Sequence, residues 1–218
     1  IQHFLGELHL CKKLHFDDKF SKKNFYNFEF QHNLSDDKLF RIYSLCDLKI
    51  IKQPFDSVIL AVAGNLVVND PFFENVSGEN TDKILLECDL LRCLKLANGT
   101  FAMSAYWGNG ELTLATDSLG ARPLYFTVCK QTLYFSTSFR AIVDICPDEQ
   151  VLNDQALAEQ IAYCYPLANR TLSSTVFVLR DGQYLSVKDG RYSLARYWDW
   201  RNIKLLPRNR EIELENCK

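Results

Sequence analysis

Eight cysteines and the histidines His3, His9 and His15 are the side chains of this 218-residue chain best suited to nucleophilic or metal chemistry. Their spacing argues against a metal centre. There is no Cys-x-x-Cys pair and no His-Glu-x-x-His, and no carboxylate pattern accompanies the histidines. Cys88 and Cys93 stand five residues apart in a segment of helical pattern. The cysteines read as buried free thiols in a reducing compartment. Asn33, Asn75, Asn98 and Asn169 sit in Asn-x-Ser/Thr triplets, which carry meaning only behind a secretion signal. A more informative stretch is Asp117-Ser118-Leu119-Gly120-Ala121-Arg122-Pro123-Leu124-Tyr125. The Asp117 carboxylate can turn onto backbone N–H groups further along, and Gly120 accepts a positive φ without steric cost. Pro123 has no N–H for a ladder and suits the first residue of a strand.

The elements that must hold this turn are short. Leu112, Leu114 and Thr116 alternate with Thr113 and Ala115, predicting a strand before it. Leu124 to Val128 predicts a strand after it, Lys130-Gln131 a turn, Leu133 to Ser136 a third strand, and Ser138 to Val143 a short helix. Upstream, residues 4–16 read as one or two short strands. Residues 17–38 read as a loop-rich excursion with a strand near Phe28-Glu29-Phe30. Arg41 to Asp47 reads as a strand. Ser57 to Gly64 is a nearly continuous apolar run, as expected of a strand covered on both faces, and Asn65 to Asn69 resumes after it. Ile84, Leu85, Cys88, Leu91 and Leu94 recur at three- and four-residue spacing, predicting one helix over 82–96. Thr81 is its N-cap, Asp82 stands in its first turn, and Asn98-Gly99 is its stop. Phe101 to Trp107 is then a strand, turned by Gly108-Asn109-Gly110.

Downstream, Asn153 caps a helix over 154–164 with Leu157, Ile161 and Cys164 on one face. Val176 to Leu179 and Tyr184 to Val187 read as a hairpin across Asp181-Gly182, with a further Asp-Gly at 189 and 190. Tyr197-Trp198-Asp199-Trp200 reads as a buried or edge-packed aromatic cluster, and from Arg201 the chain turns polar. A formal charge of −2 and the absence of a basic stripe argue against nucleic acid. No run approaches the ~20 apolar residues that span a bilayer. Residues 1–200 read as one domain, with 201–218 a tail or the start of a linker. The lack of a secretion signal at Ile1 to Glu7 points to a cytoplasmic chain.

The order of these parts resembles the N-terminal class II glutamine amidotransferase domain of the asparagine synthetase family. The resemblance rests on Asp117, Gly120, Pro123, Leu124 and Tyr125, followed by Phe135-Ser136 and Arg140-Ala141-Ile142. It extends to Gln53-Pro54, the strand into Gly64, the helix from Thr81, Asn98-Gly99-x-Phe101, Leu152 to Pro166, Arg170-Thr171-Leu172 and Tyr197-Trp198-Asp199. It implies an α+β fold of the N-terminal-nucleophile hydrolase kind: a four-layer αββα sandwich of two antiparallel sheets. A reading of many short strands and few helices agrees with it.

The family's chemistry uses an N-terminal Cys whose thiol attacks the glutamine amide and whose own α-amino group serves as base. An Asn side chain and a Gly N–H stabilise the oxyanion. Laying Gly6 on the last Gly of the family's Met-Cys-Gly-Ile-x-Gly opening puts Gln2 at the nucleophile. The apolar strand puts Ala63 at the oxyanion Asn and keeps Gly64. Losing that Asn alone would cost about 3 kcal/mol of transition-state stabilisation, by analogy with other oxyanion holes. Arg41 stands where the family binds the substrate carboxylate, or is a surface residue on its strand. The amine-binding position falls on Thr81 or Asp82. The resemblance therefore implies a degenerate amidotransferase domain without catalytic residues, in the manner of β-lactam synthetase-like and lasso peptide cyclase-like branches. Its partner would be an adenylating synthetase domain in cis or trans. ATP and magnesium belong to that domain, whose Ser-Gly-Gly-x-Asp-Ser loop is not among these residues. The alternatives are a module that binds a small amino acid or peptide, and an active glutaminase beginning at Cys11 after cleavage.

Overall fold

The computed structural model describes residues 4–9, 32–36, 40–44, 49–52, 58–68, 89–107, 110–147 and 151–203. Among them two six-stranded antiparallel sheets form. The first contains β1 (Phe4–His9), β2 (His32–Asp36), β3 (Phe40–Ser44), β8 (Tyr125–Cys129), β9 (Thr132–Ser136) and β10 (Phe177–Val178). Its order is β10-β8-β9-β1-β3-β2. The second contains β4 (Lys49–Lys52), β5 (Val58–Val68), β6 (Ala97–Trp107), β7 (Glu111–Thr116), β11 (Gln183–Lys188) and β12 (Arg191–Arg196). Its order is β12-β11-β7-β6-β5-β4.

Alternation along each strand sorts its side chains between layers. Ala61 and Ala63 of β5, Ala102 and Tyr106 of β6 and Leu112 and Leu114 of β7 face the other sheet. There they meet Leu8, Phe126, Leu133 and Phe135 in the central core. Leu60, Val62, Phe101 and Met103 point the opposite way, onto Cys93 and Leu94 of helix α1 (Leu90–Leu96). Helix α2 (Phe139–Ile145) covers the outer face of the first sheet, where Ile142 packs on Leu5 and Val176. The fold is thus α+β, with helix, sheet, sheet and helix in layers, as the resemblance implies. The expected burial of β5 on both faces is met at Leu60, Ala61, Val62 and Ala63. Gly6 of β1 lies opposite Phe135, and an added Cβ there would run into that ring.

Several local expectations are corrected. The apolar run of β5 does not stop at Gly64 but pairs with β6 through to Val68. Strand β2 falls where a loop-rich stretch was expected, and β4 was not foreseen. The helix expected over 82–96 is not continuous: Asp89 is extended (φ −55°, ψ 123°) and caps α1, accepting from Leu91 N at 3.2 Å. Asn98-Gly99 does not stop that helix in a turn, because α1 passes directly into β6 at Ala97. β8 opens at Tyr125, two residues after Pro123. The segment 176–187 is not a hairpin: β10 pairs with β8 in the first sheet, and β11 with β7 and β12 in the second. Asp181-Gly182 therefore carries the chain between sheets. The next Asp-Gly makes the hairpin, with Asp189 (φ 51°) and Gly190 (φ 72°) between β11 and β12.

Helix α3 (Asp154–Tyr163) begins as expected, with Asn153 Oδ1 accepting from Ala156 N at 3.0 Å. Its apolar face turns outward, however. Leu157, Ile161 and Cys164 are exposed, while Ala156 and Glu159 are buried. The inward side is held by polar contacts instead. Glu159 accepts from Leu167 N at 2.7 Å and from Arg170 Nε at 3.0 Å, and pairs with the Arg170 guanidinium again through Nη2. Tyr197 is buried, whereas Trp200 is exposed and meets Trp198 edge-on at 4.7 Å. Cys93, Cys129 and Cys146 are buried, and Cys164 is exposed. No helix among the described residues is long and apolar enough to cross a membrane.

Candidate functional site

The Asp117 turn organises one end of the second sheet. β7 delivers Asp117 into it fully buried. Its Oδ1 accepts from Leu119 N and Ala121 N, both at 3.0 Å. Its Oδ2 accepts from Arg122 N at 3.1 Å and, across the sheet, from Phe101 N at 3.2 Å. The main chain adds to this. Asp117 N donates to the Phe101 carbonyl, and the Asp117 carbonyl accepts from Gly120 N and Gly182 N, each at 3.0 Å. Gly120 takes φ +62°, the conformation foreseen for it. A carboxylate with two acceptor oxygens matches four convergent N–H groups, which no neutral side chain of its size could do. The Tyr197 hydroxyl donates to the Thr116 carbonyl at 2.6 Å, closing the turn from behind. Burial, and then the charge of Asp117, push the Tyr197 phenol far above its usual range.

Strand register carries this turn to Gly64. Phe101, bonded to Asp117, pairs with Gly64 of β5. Gly64 has φ +104°, and an added Cβ would run into the Thr100 carbonyl and stand 2.9 Å from Arg122 Nε. The guanidinium of Arg122 therefore lies against the Gly64 backbone, a juxtaposition the sequence reading did not single out. Its only signal was Arg122's place inside the motif. Ala63, next to it, turns its methyl into the central core, fully buried beside Leu8 and Phe135. No polar side chain stands at that position.

The structure brings Ala63, Gly64, Asp117 and Gly120 to one end of the second sheet, with Pro123 just beyond the turn. Arg41 is placed in the other sheet, in β3, opposite Glu7 of β1 and Asp36 of β2. Gln2, Cys11, Thr81 and Asp82 lie outside the described residues, as do Gln53-Pro54 and Phe28 to Phe30. A cleft of about 640 Å³ opens elsewhere, on the outer face of the second sheet. Asp89, Trp107, Glu111, Tyr184 and Lys188 line it, and Ala63, Gly64 and Asp117 do not.

Two face-to-face antiparallel sheets flanked by helices, with a carboxylate-centred turn beside a glycine of positive φ, define an amidotransferase-type N-terminal-nucleophile hydrolase fold. The family model described as "Glutamine amidotransferase domain" matches residues 85–198, more than half of the chain, and the chain belongs to that family. Among solved structures, the allosteric regulatory enzyme of purine biosynthesis is similar over 90% of this chain, with 12% identity and a TM-score of 0.50. Glutamine phosphoribosylpyrophosphate amidotransferase from B. subtilis, complexed with ADP and GMP, is similar over 74% of this chain, with 13% identity and a TM-score of 0.44. This chain covers 43% and 36% of the lengths of those two chains, respectively. The likeness to the first is one of fold. No curated protein sequence matches significantly.

Proposed function

We propose that residues 1–200 are a degenerate glutamine amidotransferase-like domain of an asparagine-synthetase-like, ATP-dependent amide ligase. In this reading the domain does not hydrolyse glutamine and serves a structural or substrate-shaping role beside a synthetase domain, in the cytoplasm. ATP and magnesium would be held by that synthetase domain, and residues 201–218 would lead towards it or form a tail. The observation that carries the proposal is Ala63. Where the resemblance expects an oxyanion-binding amide, the chain buries a methyl group in an apolar core. Gln2, at the nucleophile position, offers a carboxamide in place of a thiol. The asparagine-synthetase-like assignment is supported by the motif order, from the Asp117 turn through Arg170-Thr171-Leu172 to Tyr197-Trp198-Asp199.

The pairing of β1 argues against activation at Cys11. Cleavage there would remove residues 4–9, the strand that joins β3 to β9 in the middle of the first sheet and buries Leu5 and Leu8. The test is incubation with glutamine and a coupled assay for glutamate, with the N-terminus verified by mass spectrometry. No turnover is expected. Turnover by a chain still beginning at Ile1 would refute the proposal. Turnover confined to chains beginning at Cys11, and abolished by Cys11→Ala, would move the nucleophile to that residue.

A second reading, binding of a free amino acid or short peptide, is favoured by the Arg122 guanidinium lying against Gly64. A guanidinium beside main-chain groups suits a carboxylate. Calorimetric titration with glutamine, asparagine and short peptides tests it. No heat and no change of Tm would remove its support.

A further inference from the structure

The second sheet ends at β12, and no strand among the described residues pairs with the outer edge of that strand. Such an edge presents a row of N–H and C=O groups. The central core also runs out there. Tyr192 and Leu194 stand opposite Val187 and Leu185 of β11, both fully buried in that core. The Tyr192 ring meets Phe126 of the first sheet edge-on at 6.4 Å, so this face of β12 looks inward. Yet Tyr192 is 47% exposed and Leu194 42%. The other face of the strand carries Arg191 and Ser193. Lys188, opposite Arg191, is answered by Glu111 at 3.0 Å, whereas Arg191 has no ion-pair partner among the described residues. The edge therefore lacks partners for its main chain, apolar cover on its inner face and negative charge on its outer one.

We propose that residues 210–215 of this same chain supply all three, adding to β12 as an antiparallel strand. They lie outside the described residues, and their sequence is Arg-Glu-Ile-Glu-Leu-Glu. Glu211, Glu213 and Glu215 alternate with Ile212 and Leu214, the pattern of a strand with one acidic and one apolar face. Pro207-Arg208-Asn209 just before them has the composition of a turn. The chain starts close by. Asp199 lies 3.7 Å from Arg196 at the end of β12, and the 3-10 turn Trp200–Asn202 follows directly. Residues 204–209 can span up to ~20 Å, enough for a reversal beside the strand. One register answers each lack. With Ile212 opposite Leu194 and Leu214 opposite Tyr192, two apolar side chains extend the inter-sheet core over its open rim. Glu213 then stands opposite Ser193 and Glu215 opposite Arg191, on the outer face. Arg210 falls opposite Arg196, whose charge Asp181 and Asp199 already answer at 3.3 and 3.7 Å. A slip by one residue would turn the glutamates onto the core rim, so the alternation itself fixes the face. Strand addition to a free sheet edge is a recurrent mode of recognition, used here within one chain.

Residue-resolved amide hydrogen exchange of the intact chain tests the proposal. Every second amide of 210–215 should be protected at all protein concentrations, because only alternate N–H groups of an added edge strand point at β12. Ile212→Glu should remove that protection and speed exchange at the outward amides of β12 by at least about tenfold, the effect of losing the burial of one such side chain. The amides of β11 should keep their rates, which shows that the domain is still folded. Arg191→Glu should weaken the protection of 210–215 about threefold, and adding Glu215→Arg should restore it. Unprotected amides throughout 210–215 would overturn the proposal, and so would protection of successive amides, the mark of a helix. Protection that grows with protein concentration would place the strand on another copy and overturn it as well. A charge reversal without rescue would overturn the register.

Discussion

Replacing Asp117 by Ala removes the acceptor of four backbone N–H groups at once, and the structure separates them by their access to water. Leu119 and Ala121 are exposed, so their N–H groups can turn to solvent at small cost. Phe101 is buried and its N–H loses its only carboxylate partner, while Arg122 is half-buried. A buried donor left unsatisfied costs about 1–3 kcal/mol, so two of them set the loss at about 2–6 kcal/mol. That is a large share of the ~5–15 kcal/mol that holds a typical domain together. Asp117→Asn is not a mild replacement. It keeps one acceptor oxygen and turns an NH2 group onto two N–H donors, so its cost should approach that of Ala. Urea titration followed by tryptophan fluorescence measures both variants, and amide exchange locates the damage. Protection should fall most at Phe101 and least at Leu119. A loss below about 1 kcal/mol for Asp117→Ala would show that the turn does not depend on the carboxylate.

Gly64→Ala should cost several kcal/mol, about 3 or more, because a Cβ there meets the Thr100 carbonyl at a φ that L-residues disfavour; a thermal melt within a degree of wild type would contradict it. Ser104, fully buried on the inward face of β6, has a hydroxyl with no hydrogen-bond partner. Ser104→Ala should therefore be neutral or stabilising by about 1 kcal/mol, and a clear destabilisation in urea titration would show a partner for that oxygen. The hydrogen bond from Arg170, aided by the Leu167 N–H, holds the Glu159 carboxyl below the ordinary value near 4.5. A carboxyl lowered in the folded state stabilises above the unfolded value and loses that contribution as pH falls through the folded one. Acid unfolding should accordingly steepen below about pH 4.5, and Glu159→Gln should flatten that limb; identical limbs in the two proteins would refute the assignment.

What could be read from the sequence was local chemistry. Asp117 and Gly120 made a turn legible because a carboxylate, a run of nearby N–H groups and a residue free to take positive φ act within a few positions of one another. Asn153 was legible as a cap for the same reason, and the alternation of Leu112, Leu114 and Thr116 marked a strand, although the structure buries both of its faces. The order of such pieces was enough to name the fold class. The tertiary structure decided everything that depends on which strand lies beside which. Asp181-Gly182 has the composition of a hairpin turn, but pairing energy drew β10 to β8 and β11 to β7, so the same dipeptide bridges two sheets. The spacing of Leu157 and Ile161 announced an apolar face without saying what it faces. The Glu159–Arg170 pair, eleven residues apart in sequence, turned that face outward. Arg122 reaches Gly64 only because β5, β6 and β7 align in register. A side chain's period is set by its own backbone, whereas its neighbour is set by contacts between segments that the period does not encode.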